Sequence, residues 1–196
     1  MSGSFPDSTN FKNIKISDAK KRLETIDTSN KLYEKFLKQR WGLELSSIPL
    51  TRSQFQSIFS FLTQQKAQTE TFTIIPPQIS NPQGTAAGGP MAVLQNYAIG
   101  IGTIKANGAT GTLKRGDFIK FSNHSKIYQI ISDVDMDASS EDTINFYPNL
   151  LSAITTSTTI QFSSIPFTVS LITDANDYDL DREGYYRYNL NLIEEY

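Results

Sequence analysis

Apolar and polar residues alternate along much of this chain with the period of two that marks a half-buried β-strand. In RWGLELSS, Trp41, Leu43 and Leu45 alternate with Gly42, Glu44 and Ser46, and Pro49 closes the run. The period then changes. Thr51 and Gln54 have the spacing of a capping box, which takes up N–H groups left unpaired by a first helical turn. Phe55, Ile58, Phe59 and Leu62 follow at i, i+3, i+4 and i+7. That spacing predicts one helix within 51–66, its aromatic stripe packed on the sheet that carries Trp41 and Tyr186. TETFTIIPP returns to strand and stops at Pro76 and Pro77.

The stretch SNPQGTAAGGP (80–90) is rich in Gly, Pro and small residues and reads as a linker or long loop. Strand-length runs follow at short intervals: YAIGIGTIKA, GTLKRGDFIKF, KIYQIISDV, TINFYPNL and TTIQF. Four or five such strands predict a small closed barrel of the SH3 or OB type over 80–165. Beyond Pro166 the earlier style resumes. Phe167, Val169 and Leu171 share one face of FTVSLITD, DANDYDLDREG makes an acidic hairpin loop, and Tyr186, Tyr188, Leu190 and Leu192 share one face of the last strand. The simplest topology is an outer β domain with one helix (31–79 plus 166–196) that carries the barrel as an insertion. Residues 1–30 are polar, with scattered Phe5, Phe11, Ile14 and Ile16, and read as an extended arm with one short strand near Phe11–Ile16.

Composition narrows the function. Aromatics at 11 % argue for a packed core rather than a disordered polar chain. A net charge of −2 gives no general pull toward nucleic acid or anionic lipid. No apolar run approaches the roughly 20 residues of a membrane span, and MSGSFPDSTNFKN lacks the apolar core of a secretory leader. With no cysteine there is no disulfide, thiolate nucleophile or cysteine metal site, which fits synthesis in a reducing cytoplasm.

Candidate chemistry is sparse. The only histidine, His124, sits in the polar turn FSNHSK and reads as a turn residue. Asp133, Asp135 and Asp137 match the first ligand positions of a calcium loop, but Ala138 stands where Gly is needed and Ile144 where Glu is needed. The glycines at 84–89, 100, 102, 108 and 111 form neither GxGxxG nor a Walker motif. Lys12 to Lys21 with Arg22 read as a solvated face or a contact with an acidic neighbour. Asp174, Asp177, Asp179, Asp181 and Glu183 crowd one polar loop, which favours exposure over a tuned acid–base pair. No catalytic, cofactor-binding or metal-binding residue is assigned, and the chain is not expected to be an enzyme.

The stretch QRWGLELSSIPLTRSQFQSIFSFLTQQKAQTETFTIIPP resembles the strand, turn, helix and strand of bacteriophage distal tail and tail-hub (baseplate) proteins. GTLKRGDFIKFSNHSKIYQIISDV, TINFYPNLL and IPFTVSLI resemble the inserted barrel and the returning strand of the same class. The resemblance implies a tail-tube-like β-sandwich with a packed helix. It also implies a structural, homo-oligomeric ring in the virion tail tip, hexameric, that joins the tail tube protein to the baseplate hub protein. The implied partners include neither membrane nor specifically bound nucleic acid, although the genome would pass through the ring. The alternative is a glycan- or host-receptor-binding module, for which Tyr97, Tyr128 and Tyr147 are the candidate platform.

Overall fold

The computed structural model describes residues 3–6, 10–26, 32–65, 70–172 and 178–196, with 20–26 and 32–38 described by backbone alone. The chain is mainly β, with one helix and a closed barrel. Strands β1 (Phe11–Ile26) and β2 (Leu32–Ser47) form an antiparallel hairpin. Helix α1 (Arg52–Gln64) and β3 (Phe72–Ile74) follow. The barrel comprises β4 (Ala87–Val93), β5 (Thr103–Leu113), β6 (Phe118–Phe121), β7 (Ile127–Ile130), β8 (Val134–Met136), β9 (Asp142–Tyr147) and β10 (Thr159–Gln161). The chain then returns through β11 (Phe167–Leu171), β12 (Tyr178–Leu180) and β13 (Tyr186–Glu194).

The outer sheet runs β1-β2-β13-β11-β3, with β12 folded onto β13. Its buried face is the one the alternation marks: Trp41, Leu43, Leu45, Tyr188, Leu190 and Leu192 are all within a few per cent of full burial. Helix α1 covers that face. The Gln54 side chain accepts the Thr51 N–H at 3.0 Å and so caps the first turn. Phe55, Ile58 and Leu62 are buried, and Phe55 stacks on Tyr186 with centroids 4.7 Å apart. Phe59, expected in the same stripe, lies at its rim, partly buried between Phe55 and Tyr178.

Strand β12 stands within the stretch read as an acidic loop, and two further elements differ from the expectation. Residues 1–30 hold a strand far longer than Phe11–Ile16: β1 continues to Ile26, which pairs with Leu32. Sixteen residues span roughly 50 Å. Strand β13 pairs β2 only over Gly42–Ser46, so the far half of the hairpin is a two-stranded ribbon among the described residues. Pattern could not show this, because DAKKRLETI lacks alternation and the ribbon rests on backbone pairing. The second difference is 80–90, read as linker, whose last residues begin β4. Gly88 at φ 115° allows a bulge between Gly88 and Ala92, which low β-propensity hid.

With β4 counted, β4-β10-β6-β7-β9-β5 closes on itself through the β4–β5 pairing, six strands where the pattern suggested four or five. Its core is separate and includes Met91, Ile104, Leu113, Phe121, Tyr128, Phe146 and Ile160. Gly111, at φ 85°, lets two backbones touch: a Cβ there would stand 2.2 Å from the Thr85 carbonyl oxygen. The two crossings between sheet and barrel are tied together, Ile165 N–H donating to Ser80 O at 3.1 Å.

Candidate assembly interface

The junction of barrel and sheet holds these two parts in fixed relation. Trp41 from β2 stands edge-on to Phe118 of β6 (5.3 Å), and Phe118 to Phe167 of β11 (5.7 Å). The Trp41 indole N–H donates to Ile127 O at 2.9 Å. Beside this wedge lies a fully buried ion pair between Lys126, just before β7, and Glu194 at the end of β13. The Glu194 carboxylate also accepts the Ile127 N–H at 2.7 Å and the Trp41 N–H at 3.0 Å. One side chain thus binds β2, β7 and β13 together. Burial pushes the carboxyl up and the Lys126 ammonium down, each being held toward its charged form by the other. The Lys126 ammonium also lies 4.9 Å from the Tyr196 ring centroid, and Arg40 pairs with Glu195 at 2.8 Å.

Of these residues the sequence singled out only Trp41 and Phe167. A signal did exist. The alternation Tyr186, Tyr188, Leu190, Leu192 runs on to Glu194, placing a carboxylate at an inward position that only a buried partner could satisfy.

His124 is the turn residue expected, but a structured one. The Leu151 N–H donates to the Tyr128 hydroxyl (3.2 Å), the hydroxyl to His124 Nε2 (2.8 Å), and Nδ1–H to Asn123 Oδ1 (2.7 Å). The Asn123 amide closes the circuit onto Ala153 O at 2.9 Å. Burial, with Lys120 and Lys126 nearby, pushes the imidazole down to about 4, and burial pushes the Tyr128 phenol up to about 12. Because the folded imidazole resists protonation, its contribution is fully present above about 6.5. It drains away as pH falls toward about 4, where the unfolded chain binds a proton the fold refuses. Thermal melts across that range should show a steeper fall for the native chain than for His124→Gln; parallel curves would remove the histidine from the account.

The remaining candidates are dispersed. Asp133 accepts from Lys114 Nζ (3.0 Å) and Arg115 N–H (2.8 Å), Asp135 accepts from the Thr112 hydroxyl, and Asp137 accepts the Ser139 N–H. Among the described residues no three potential ligands gather to hold a metal. Asp181 accepts the N–H groups of Glu183 and Tyr185 and so shapes the β12–β13 turn. Asp174 and Asp177 lie outside the described residues. Lys15 of the basic stretch pairs with Glu44 across the hairpin at 3.0 Å, while Lys21 and Arg22 have backbone described alone. Tyr128 is wholly buried, and Tyr97 packs on the barrel core with its hydroxyl accepting the Lys105 N–H. Tyr147 is half-buried on β9, so the three tyrosines do not share an exposed platform.

The surfaces left for partners are the edges and a few apolar points. Strand β1 pairs only with β2 among the described residues, whereas β3 is flanked by a parallel bridge from Ser4 to Thr73. Ile99, Ile101 and Leu151 stand exposed around paired barrel loops, and Tyr178, Leu180 and Tyr185 around the β12–β13 turn. No described helix is long and apolar enough to cross a membrane.

Residues 82–165 match the family model described as "Distal tail protein pb9, B domain". The match spans the barrel from the first crossing to the second. It supports a structural role in a phage tail and placement in the virion. No curated protein matches the chain.

Proposed function

With its barrel in the bacteriophage distal tail family, we propose that the chain forms a homo-oligomeric ring at the tail tip that joins the tail tube to the central hub. The observation that carries this reading is a barrel of the distal-tail type inserted into a sheet with an open edge. Unpaired edges invite sheet continuation, and head-to-tail pairing that closes gives a cyclic ring. In this reading β1 supplies the open edge, and the β1–β2 ribbon reaches to the neighbouring copy. Residues 80–165 form the inserted barrel domain, and 31–79 with 166–196 form the tail-tube-like domain that packs around the ring. The tail tube protein and the baseplate hub protein are the neighbours. The ring is a hexamer, it catalyses no reaction, and it needs neither cofactor nor metal.

Copy number tests the proposal. Quantitative mass spectrometry of purified virions should give six copies per tail, and imaging with the chain labelled should place them between tube and hub. One copy per particle would sink the ring, and label spread along the tube would sink the tip.

A further inference from the structure

A cleft of about 360 Å³ opens on the outer face of the barrel, lined by Gly88–Pro90 of β4, by Lys120 of β6 and Ser122 just past it, and by Thr159 and Gln161 of β10 and Ser163 just past it. Its origin lies in the bulge of β4. Strand β10 pairs with β4 only at Met91 and Ala92, so residues 88–90 peel away from it. Gly89 leaves the gap unfilled, since a Cβ there would meet nothing within 4 Å. The floor is polar because alternation turns Ile119, Phe121 and Ile160 into the core and leaves Lys120, Ser122, Thr159 and Gln161 outside.

Lys120 is the only charged group among the lining residues. It is half-buried and has no carboxylate partner among the described residues; its one hydrogen bond reaches Pro166 O at 3.4 Å. Burial lowers its pKa. An ammonium so placed lacks full hydration, and the one carboxylate whose charge it feels, Glu194, is already paired with Lys126, so a bound anion would complete its neutralisation. Around it the bonding capacity is mixed. The Ser122 hydroxyl accepts the Thr159 N–H and keeps its own proton to give. The Gln161 amide N–H group is spent on Ser163 O and Ser164 O, which leaves the side chain only its carbonyl oxygen, an acceptor, to offer. Thr159 and Ser163 add exposed hydroxyls.

We infer that this cleft binds an acidic saccharide, its carboxylate on Lys120 and its ring hydroxyls on Ser122, Thr159 and Gln161. The volume lies at the lower end of the roughly 300–1,000 Å³ of small-molecule pockets, room for a sugar unit or two. An acidic protein side chain would satisfy Lys120 but leave the hydroxyls and the Gln161 carbonyl without partners. The saccharide uses all of them. The site is separate from the open edge of β1 and does not depend on the ring.

The test is an amide-resolved NMR titration of the full chain with trigalacturonate, its methyl ester and an oligo-aspartate peptide. Trigalacturonate should shift the amides of Gly89, Ser122, Thr159 and Gln161, and esterification should weaken binding by about tenfold or more. Lys120→Gln should cause the same loss. Thr159→Trp, which fills the cleft from an exposed position and keeps the lysine, should abolish binding even if Lys120→Gln folds poorly. Silence at these amides, equal binding of the ester, or tighter binding of the peptide would overturn the proposal. Ring formation would be untouched by any of these results.

Discussion

Replacing Lys126 with methionine is expected to lower the unfolding free energy by about 3–5 kcal/mol, the cost of leaving one member of a buried ion pair alone. The Glu194 side chain is wholly buried and would keep its two backbone donors, Ile127 N–H and Trp41 N–H, but lose its cation. Burial already pushes this carboxyl up, and without Lys126 it would rise further. A carboxyl with a raised folded pKa contributes most below its unfolded value and loses that contribution as pH rises through the folded one. The deficit of Lys126→Met should therefore be largest near neutrality and shrink in acid. Changing both residues, Lys126→Met with Glu194→Leu, should recover much of the loss, since apolar replacement of a buried pair is often neutral or better. Urea unfolding at neutral and acid pH measures both effects. A deficit below about 1 kcal/mol, or one unchanged by pH, would mean the pair is not a clamp.

The elements that pattern located well are those whose side chains face one core. Trp41, Leu43 and Leu45 are all buried, as strand alternation requires, and Phe55, Ile58 and Leu62 are buried as helical spacing requires. Phe59 shows the limit of that reasoning, because a stripe has edges and its edge residue meets the rim of the sheet. Elements that depend on backbone pairing were invisible: the outer half of the β1–β2 ribbon has no alternation, and β4 opens with an alanine, two glycines and a proline. The junction was legible only in part. Glu194 continues the inward alternation of its strand, but Lys126 follows a polar turn and carries no local sign of burial. Its partner lies 68 residues away, a distance no period reports. The cleft at Lys120 was hidden for the same reason, since it exists only because β4 diverges from β10.

Excision of the barrel measures how far its core and that of the outer sheet are one. The crossings are joined by the Ile165–Ser80 hydrogen bond, so a short Gly-Ser bridge in place of 82–164 closes the gap at small entropic cost. Helix α1 and the sheet beneath it keep their own contacts, including Leu43, Leu45, Ile58, Leu62, Phe72 and Leu190. The bridged chain should therefore still unfold cooperatively. It should also be weaker, because Phe118 and Ile127 of the barrel belong to the outer core and leave with it. Trp41 would lose its edge contact and its acceptor, and Phe167 would lose Phe118. Uncovering one large aromatic costs about 3–5 kcal/mol. For a domain of this size each kcal/mol moves the melting temperature by roughly 4–8 °C, so a fall of roughly 12–40 °C is expected. Glu194 would then face water, and Glu194→Gln should change the bridged chain little while damaging the full one. Thermal melts followed by far-UV circular dichroism decide the matter. An unchanged melting temperature would make the barrel independent of the sheet, and the loss of any cooperative transition would make the two a single folding unit.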